Sequence, residues 1–532
     1  MKRDKLLLIL IFVFGFILRS IYINKFPPSL NWDEVSHGYN AYSLLKTGRD
    51  EWGSPLPLIF RAYGDYKLPL YIYLTIPSVF IFGLNPFSVR LVSLIAGSLI
   101  PVLAYLIVKK ILPQNQKLPL FAALITLLSP GTIFLSRIAL EANLFALLFC
   151  LSFYLLISRK YPLSAFVYGL SLFAYNSSRV LLPFFILSLI YFLARHKYHL
   201  KKNFYRFLPF LLLTLLTIWQ MFNQSGQARY QWVSLLDSGS INRINELRQT
   251  YPRFLVNKLT YFTFTAGKNY LKHFNPLYLF FNGGSHYQFN IPQFYLLSSL
   301  LIPFLILGLI HLLKNFKNHP EYQLLLFWFL VSPIPSAITR DAPHVLRSIL
   351  FIPSTIIIIA IGFSRLDFYR PKFSYFCLTF VLVLSQIQFW PKYIQYRQTY
   401  ASSWQYGYQQ AVDYVKSIYS DYDQILVTKK YGEPHEFFLF YWPWNPSVYQ
   451  NDSAKIWDYH ANWYWVDKFD KFQFINDWEI KDKTITPTLT KNQNTLLITS
   501  PENYNQHNSQ LLKTIYYPDG SPVFQILKIN YD

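Results

Sequence analysis

Apolar runs long enough to cross a bilayer recur along the first 390 residues, separated by short polar or basic segments. The first run covers residues 6–23, and at about 1.5 Å per residue such a helix spans most of a roughly 30 Å hydrocarbon core. Lys2, Arg3 and Lys5 precede it, and basic residues stay preferentially on the cytoplasmic side. No small-residue cleavage site follows. The pattern predicts a multi-pass α-helical membrane protein with a cytoplasmic N-terminus and a retained first helix.

The basic loops set the predicted topology of the later runs. The run at residues 68–83 reaches only about 24 Å as a helix, so we interpret it as an in-plane or re-entrant helix. If it crossed, Lys109 and Lys110 would lie outside. About eleven crossings and an outer C-terminus follow. The predicted crossings are residues 6–23, 90–108, 118–135, 142–158, 163–175, 180–194, 207–222, 294–313, 322–338, 345–363 and 373–390.

Composition agrees with a polytopic membrane protein, because 52% of the residues are hydrophobic and 19% are aromatic. The net charge is +22, which in a soluble protein would favour nucleic-acid binding. Here many of the basic residues lie in short loops between apolar runs, so we assign them to topology and predict no nucleic-acid partner. Cys150 and Cys377 fall inside apolar runs, so no disulfide framework is expected.

Two adjacent carboxylates, Asp33 and Glu34, follow the first apolar run by about ten residues. Charged groups beside hydrocarbon are costly unless they have a use, which favours a functional role. The structural alternative is that Asp33 caps a helix beginning at Glu34, where the helix N-terminus favours negative charge. Apolar residues at helical spacing continue from there to Gly48, which predicts a short amphipathic helix on the membrane surface.

Further charged residues collect at the same outer face if the topology holds. The long outer loop at residues 224–292 is a candidate lid or substrate-binding element, and it contains His286. Carboxylates with cations at a membrane surface suit a reaction in which a lipid phosphate leaves and a hydroxyl loses its proton. For any single arginine, binding of lipid headgroups is an alternative. The outer charged residues are Asp33, Glu34, Lys67, Arg137, Glu141, Arg179, His344 and Arg347.

Residues 391–532 have a different composition, rich in Tyr, Trp, Asn, Asp and Lys, and are predicted to form one soluble outer α/β domain. We expect a helix at residues 409–419, strands at 424–428 and 494–499, and a hairpin of 513–517 with 523–529 around residues 518–520. Two aromatic segments, residues 441–444 and 463–465, could stack on sugars. Packing in a core or at a membrane interface is the alternative for both.

The order of these elements resembles the GT-C glycosyltransferases, specifically the protein O-mannosyltransferases and the bacterial aminoarabinose transferases that modify lipid A. The resemblance covers most of residues 6–363. It is carried by the acidic pair after the first helix, the Lys-Leu-Pro-Leu-Tyr segment at residues 67–71, residues 82–83 with 89–91, Ser136-Arg137 with Glu141, and the loop from Arg340 to Arg347. It implies a GT-C transmembrane catalytic domain at residues 1–390 followed by the extracytoplasmic domain at 391–532.

The resemblance also implies residue roles. Asp33 would be the catalytic base, with Glu34 as its supporting carboxylate and Glu141 in the second acidic position. Lys67 would hold the donor phosphate, assisted by Arg137, Arg179 and Arg347, and Asp65, His286 and His344 are further candidates. Family members have an acid directly before the lysine, where this chain has Tyr66 and places Asp65 one residue earlier. Metal binding is therefore left open, and no cofactor is required because the polyprenyl phosphate is already a good leaving group.

These residues predict a glycosyltransferase of the plasma (inner) membrane that moves a sugar from a polyprenyl phosphate to a hydroxyl, with inversion, on the extracytoplasmic face. The acceptor class, whether lipid, glycan or protein, is left open. One alternative is a transporter or flippase of lipid-linked sugars, although transporters place ionisable residues near the midplane and show paired repeats. A second alternative is a noncatalytic glycan-binding or scaffold protein, which would consume no donor.

Overall fold

The structure is a computed structural model that describes residues 2–64, 66–223, 232–460, 463–481, 493–503 and 509–529. The chain divides into two compact units. The helical unit contains residues 1–21 and 92–392, and the mixed unit contains residues 22–91 and 393–532. The first predicted outer loop therefore clusters with the C-terminal residues. The functional assignment of residues 1–390 and 391–532 as two domains stays a prediction.

Helices dominate both the apolar N-terminal part of the chain and the loop after the first helix. The described α-helices are α1 (Lys2–Ser20), α2 (Trp32–Thr47), α3 (Pro69–Phe82), α4 (Pro86–Ile111), α5 (Leu118–Leu128), α6 (Pro130–Ser136), α7 (Glu141–Ile157), α8 (Tyr161–Ser171), α9 (Asn176–Arg195), α10 (Leu200–Asn203), α11 (Leu208–Phe222), α12 (Ser238–Leu247), α13 (Lys258–Phe274), α14 (Ile302–Lys314), α15 (Pro320–Val331), α16 (Ile334–Ala337), α17 (Phe351–Tyr369), α18 (Pro371–Thr399), α19 (Tyr408–Ile418), α20 (Pro434–Tyr441), α21 (Pro446–Gln450) and α22 (Asp477–Lys481).

Four segments among the described residues are long and apolar enough to cross a membrane, namely Pro86–Ile111, Asn176–Arg195, Phe204–Phe222 and Lys372–Thr399. Helices α5 and α6 would make a fifth if their 57° bend lies within one span. Helix α1 is not among them, because charged residues stand at both of its ends. Shorter apolar helices include α3 and α7. The prediction of about eleven crossings therefore stays a prediction.

The segment at residues 118–135, expected as one straight crossing, is broken. Helix α5 ends at Leu128, and α6 begins at Pro130. Proline has no N–H to continue the helical hydrogen bonds, so it is well placed as the first residue of a new helix. The loop that follows is also not helical, since Glu141 opens helix α7 and Leu140 precedes it in an extended conformation. Arg137 and Glu141 therefore do not share one helical face.

The loop after α1 forms two helices joined by a small ribbon. Asn31, not Asp33, caps helix α2, because its side chain accepts from the Glu34 amide at 2.9 Å while Glu34 accepts from the Asn31 amide at 3.2 Å. The helix ends at Gly48, whose φ of 69° lies in the left-handed region, as predicted. Strands β1 (Phe60–Arg61) and β2 (Tyr66–Lys67) then pair antiparallel before helix α3.

Residues 393–532 contribute a seven-stranded mixed sheet in the order β4-β5-β6-β3-β7-β9-β8. The central strand β3 pairs in parallel with β6 and β7, and the outer pairs are antiparallel. The predicted helix, two strands and hairpin are all present, whereas β4, β5 and β6 were not predicted. The strands are β3 (Gln424–Thr428), β4 (Ile456–His460), β5 (Trp463–Phe469), β6 (Phe472–Ile475), β7 (Thr495–Thr499), β8 (Ser509–Tyr516) and β9 (Pro522–Ile529).

Helix α20 packs against both α2 and α19 within the mixed unit. Gly38 of α2 makes this approach close, because a Cβ atom there would lie 2.5 Å from the ring of Phe440. Leu426, Leu497 and Leu527, fully or almost fully buried, form the centre of a core cluster under the sheet. The loop that carries Asp33 is thus held by the same unit that contains the sheet.

Candidate active site

Asp33 and Lys67 form an ion pair in the mixed unit. The Lys67 Nζ atom lies 2.5 Å from the Asp33 Oδ1 atom. Asp33 stands in the first turn of α2, and Lys67 is the last residue of β2, opposite Phe60 in the ribbon. The Lys67 side chain is 10% exposed and that of Asp33 is 38% exposed, so the carboxylate is the more accessible partner. The pair presents a proton acceptor beside a cation, which are the two groups that the predicted chemistry needs.

Glu34 has a different environment from its neighbour. Its carboxylate receives two hydrogen bonds from Arg90, at 2.8 Å from Nε and 2.9 Å from Nη2, and both side chains are 1% exposed. The Arg90 guanidinium also donates to the carbonyl oxygens of Ile23 at 2.7 Å and Ser29 at 2.6 Å. This bidentate pair ties the start of α2 to the chain on both sides of it. The geometry therefore makes Glu34 a residue that positions Asp33.

Arg90 had no assigned role in the sequence, although it stands at the start of a long apolar run. A cation at such a position needs a partner, and that rule is the signal that could have found the pair.

Tyr63 was also missed. Its hydroxyl donates to the carbonyl of Trp32 at 2.7 Å and supports the turn next to Asp33. Asp65 lies outside the described residues.

A buried acidic cluster of Glu51, Glu433 and Glu436 lies in the same unit. Burial raises the pKa of the Glu51 and Glu436 carboxyls, which hydrogen-bond to each other, and burial also raises the pKa of Glu433 to about 7. His435 lies between the glutamates, with Nδ1 3.6 Å from Glu433 and Nε2 3.9 Å from Glu436. Burial lowers the pKa of His435 to about 3, so this ring is neutral at physiological pH.

The cluster predicts a pH-dependent stability. Between pH 6.5 and 8 the unfolded chain has already released its carboxyl protons, while the folded cluster still holds some. The folded state thus binds more protons, and raising the pH through this window should lower the melting temperature in thermal unfolding. His435 acts in the opposite sense, because its ring is neutral in the folded protein but is still about half protonated at pH 6.5 in the unfolded chain. One histidine offsets only part of the effect of the three carboxyls. Glu51→Gln should reduce the slope of melting temperature against pH.

The matched control is Glu502→Gln, a glutamate exposed at the surface of the mixed unit. This variant should keep the wild-type slope, since Glu502 is not part of the buried cluster. A wild-type melting temperature that is flat or rises between pH 6.5 and 8 would contradict the prediction.

The helical unit places Arg137 at the end of α1. This arginine is fully buried and donates to the carbonyls of Arg19 at 2.8 Å and Ile21 at 2.7 Å. Carbonyls at a helix C-terminus carry partial negative charge, so a guanidinium is stabilised there. Glu141 is half-buried in the first turn of α7. The arrangement gives Arg137 a structural function beside the phosphate-binding role implied by the resemblance.

Arg179 and Arg347 stand on two segments of the helical unit that contact each other. Arg179 donates to Gln220 at 2.7 Å, and Arg347 donates to the hydroxyl of Thr339 at 3.0 Å and the carbonyl of Arg340 at 2.6 Å. The Ser177 hydroxyl, two residues before Arg179, donates to the Arg347 carbonyl at 3.2 Å. This hydrogen bond joins the segment that carries Arg179 to the segment that carries Arg347.

His286 and His344 come together in the helical unit. Their ring centroids are 6.2 Å apart, and Phe289 packs on both, at 4.4 Å from His286 and 5.3 Å from His344. The Arg347 amide donates to Nδ1 of His344 at 3.4 Å. The structure therefore joins His286 of the long loop to the later loop containing His344 and Arg347.

The predicted site residues fall into two sets. Asp33, Glu34 and Lys67 belong to the mixed unit, and the others that the structure describes belong to the helical unit. Across the described ranges, no three His, Cys, Asp or Glu side chains come together as a metal centre would require. Metal binding therefore stays open, as the sequence left it.

Comparison with known proteins gives a match of part of the chain to a family model and a likeness of the fold to a solved structure. Residues 9–199 match the model of the dolichyl-phosphate-mannose-protein mannosyltransferase family. Comparison with curated proteins finds no match to the sequence. Among solved structures, ArnT from Cupriavidus metallidurans bound to undecaprenyl phosphate matches at a TM-score of 0.52 and 12% identity, with 97% of each chain covered. The apo state of the same protein matches at 0.42 and 13%, with 93% of each chain covered.

The family match includes candidate residues of both units, namely Asp33, Glu34, Lys67, Arg137, Glu141 and Arg179, whereas His286, His344 and Arg347 lie outside it. The likeness to ArnT extends over nearly the whole chain and shows a common fold. The resemblance to GT-C glycosyltransferases predicted from the sequence is therefore confirmed, by the family model over residues 9–199 and by the ArnT-like fold.

Proposed function

We propose that the protein is a membrane glycosyltransferase that takes a sugar from a polyprenyl phosphate and passes it to an acceptor hydroxyl on the extracytoplasmic face. The observation that carries this function is the Asp33–Lys67 ion pair, which lies inside the segment matched by the mannosyltransferase family. ArnT, which has the same fold, was crystallised with undecaprenyl phosphate. A lipid phosphate in contact with Lys67 would lie next to a carboxylate that can accept a proton.

In the proposed reaction the acceptor oxygen attacks the anomeric carbon in line with the bond to the phosphate oxygen. As the new carbon–oxygen bond forms, the bond to the phosphate breaks and the polyprenyl phosphate leaves with its electron pair. The hydroxyl proton goes to Asp33, and the configuration at the anomeric carbon inverts. Lys67 stabilises the phosphate charge that develops. The roles of Arg137, Arg179, Arg347 and Glu141 that the resemblance implies stay predictions. This chemistry requires no metal.

The test is donor consumption by the purified full-length protein in lipid nanodiscs. A panel of undecaprenyl-phosphate sugars is supplied with a cell-envelope extract as the source of acceptor, and release of lipid phosphate is followed over time. We expect release with at least one sugar, and an equal rate when EDTA is added. If no sugar of the panel is released above a protein-free control, the proposed function is wrong. A rate that EDTA abolishes would contradict the metal-free chemistry.

Lys67→Met should lower kcat/KM for the donor by about a hundredfold or more, because it removes a preorganised cation from the phosphate site. Initial rates over a range of donor concentrations measure this loss. Lys67→Arg should recover part of it, since the charge is kept. Lys46→Met is the matched control, because Lys46 is an exposed lysine on helix α2. An Lys67→Met enzyme with the kinetics of the control would remove Lys67 from the site.

A further inference from the structure

An aromatic surface surrounds one face of the β4–β5 hairpin at the edge of the sheet. Every residue of β4 is exposed, with Trp457 at 43% and Tyr459 at 49%. Tyr459 lies directly opposite Tyr464 of β5, and their ring centroids are 4.5 Å apart. Trp52 packs against Trp457 at 5.4 Å and against Tyr464 at 6.0 Å. A continuous patch of aromatic rings that includes exposed ones is typical of a binding surface, whereas single exposed rings need no explanation.

Arg61 stands among these rings. Its guanidinium carbon lies 4.8 Å from the centroid of Tyr464, 5.0 Å from that of Trp52 and 5.5 Å from that of Trp457. Asp50 interacts with it electrostatically. No group among the residues that the structure describes accepts a hydrogen bond from this side chain, although a guanidinium carries five N–H donors. The rings thus hold a cation whose donors are left for a ligand or for water.

The surface continues to the candidate active site. The hydroxyls of Tyr66 and Tyr464 lie 3.1 Å apart, and the Tyr464 amide donates to the carbonyl of Tyr63 at 2.7 Å. Tyr66 stands opposite Arg61 in the β1–β2 ribbon and directly precedes Lys67. Tyr66, which belongs to the aromatic surface, is therefore the residue directly before the lysine that pairs with Asp33.

We propose that this surface binds a saccharide, and that the saccharide is part of the acceptor. We call it the saccharide platform, formed by Trp52, Arg61, Tyr66, Trp457, Tyr459 and Tyr464. The apolar C–H faces of pyranose rings pack on aromatic faces, while tyrosine hydroxyls and guanidinium N–H groups bond to sugar hydroxyls. The role as an acceptor subsite rests on the proposed function, because it depends on sugar transfer at Asp33. Saccharide binding itself does not.

A membrane-interface role is the competing explanation for exposed tryptophan and tyrosine. The position of the rings on β4 argues against it. Among the residues that the structure describes, this strand is an edge of the sheet, and its outer N–H and C=O groups pair with no other strand there. Asp458, at 53% side-chain exposure, stands between Trp457 and Tyr459. Hydrocarbon cannot satisfy such groups, whereas an aqueous saccharide can.

The test uses the full-length protein in nanodiscs with three defined probes, namely chitohexaose, cellohexaose and α-1,6-linked mannohexaose. Saturation-transfer NMR reports which sugar protons contact the protein, with no donor present. We expect a signal with at least one probe, and binding about tenfold weaker in Trp457→Ala and in Tyr459→Ala. Arg61→Met should weaken binding similarly, with a smaller loss in Arg61→Lys.

Two substitutions of the same type elsewhere in the mixed unit serve as controls. Trp478 is 64% exposed on α22, and Tyr516 is 55% exposed on β8, the opposite edge of the sheet. Trp478→Ala and Tyr516→Ala should bind each probe as the wild type does. The assignment is overturned if the wild type gives no signal with any probe, or if Trp457→Ala and Tyr459→Ala bind as tightly as the controls.

Two further measurements separate this assignment from the other interpretations. Brominated lipids quench the emission of tryptophan rings that lie in the bilayer. The emission of Trp457 is obtained as the difference between the wild type and Trp457→Ala. If brominated lipids quench this difference, the ring lies in the membrane and the platform is overturned. Release of undecaprenyl phosphate is measured on the same samples. Saccharide binding without donor consumption would refute the proposed function alone. Donor consumption with unchanged acceptor KM in Trp457→Ala would refute the acceptor subsite alone.

Discussion

Asp33→Asn is expected to lower sugar transfer by a factor of about a hundred to ten thousand, the range that a positioned general base contributes. The amide keeps the size of the side chain and its place in the first turn of α2, but it cannot take the proton of the acceptor hydroxyl. The loss should appear in kcat, measured as release of lipid phosphate at saturating donor. Donor KM should change much less, because Lys67 remains.

The ion pair makes a control necessary, since Asp33→Asn also removes the partner of Lys67. Equilibrium binding of undecaprenyl phosphate separates the two effects, and we expect it to stay within about threefold of wild type, well under one tenfold step of affinity. Asp519→Asn, in an exposed turn of the β8–β9 hairpin, should be fully active. A fully active Asp33→Asn enzyme would refute the assignment of Asp33 as the base.

Arg90→Met is expected to destabilise the protein by about 3–5 kcal/mol, the cost of leaving one partner of a buried ion pair without its counter-charge. Glu34, whose side chain is 1% exposed, would lose both hydrogen bonds that the Arg90 guanidinium donates to it. The carbonyls of Ile23 and Ser29 would also lose their donor. Thermal unfolding in detergent should show a large fall in melting temperature.

The control for Arg90→Met is a substitution in an exposed ion pair with a similar distance between its charged atoms. Lys109 and Asp4 lie 3.2 Å apart with side chains 45% and 46% exposed, and Lys109→Met should cost less than about 1 kcal/mol. The double variant Glu34→Gln with Arg90→Met should lose less stability than the two single variants lose together, because it leaves no unpaired charge. An Arg90→Met melting temperature equal to that of Lys109→Met would contradict the structural role.

Both predictions concern one turn of chain. The capping box of Asn31 and Glu34 starts helix α2, and Arg90 holds Glu34 in place. Asp33 stands between Asn31 and Glu34 in the chain, and its carboxylate contacts Lys67. Moderate loss of transfer in Arg90→Met at a temperature where the protein is folded would therefore reflect a displaced Asp33. The fall should then appear mainly in kcat, as for Asp33→Asn, with a smaller change in the KM for the donor.

Local structure was well predicted where neighbouring residues decide it. The helix that ends at Gly48, strand β3 and the hairpin around residues 518–520 depend on spacing, caps and turn residues within a few positions. The amphipathic character predicted for that helix is wrong, because residues 34–41 are all buried and cover every face. Strands β4, β5 and β6 were not predicted, because their pairing involves residues farther along the chain. Residues 463–465 were treated as an aromatic segment, and only the pairing of β5 with β4 and β6 makes them a strand.

The kind of protein and the candidate chemistry follow from the amino-acid sequence alone, because apolar runs, basic loops and an acidic pair beside a helix are recognised within short windows. Which charges meet depends on the tertiary fold. Asp33 and Lys67 are 34 residues apart, and Glu34 and Arg90 are 56 apart. Glu51 meets Glu436 only because the first loop and the C-terminal sheet fold into one unit. Burial then sets which carboxyls keep a proton, and burial depends on packing between distant segments, which spacing along the chain does not specify.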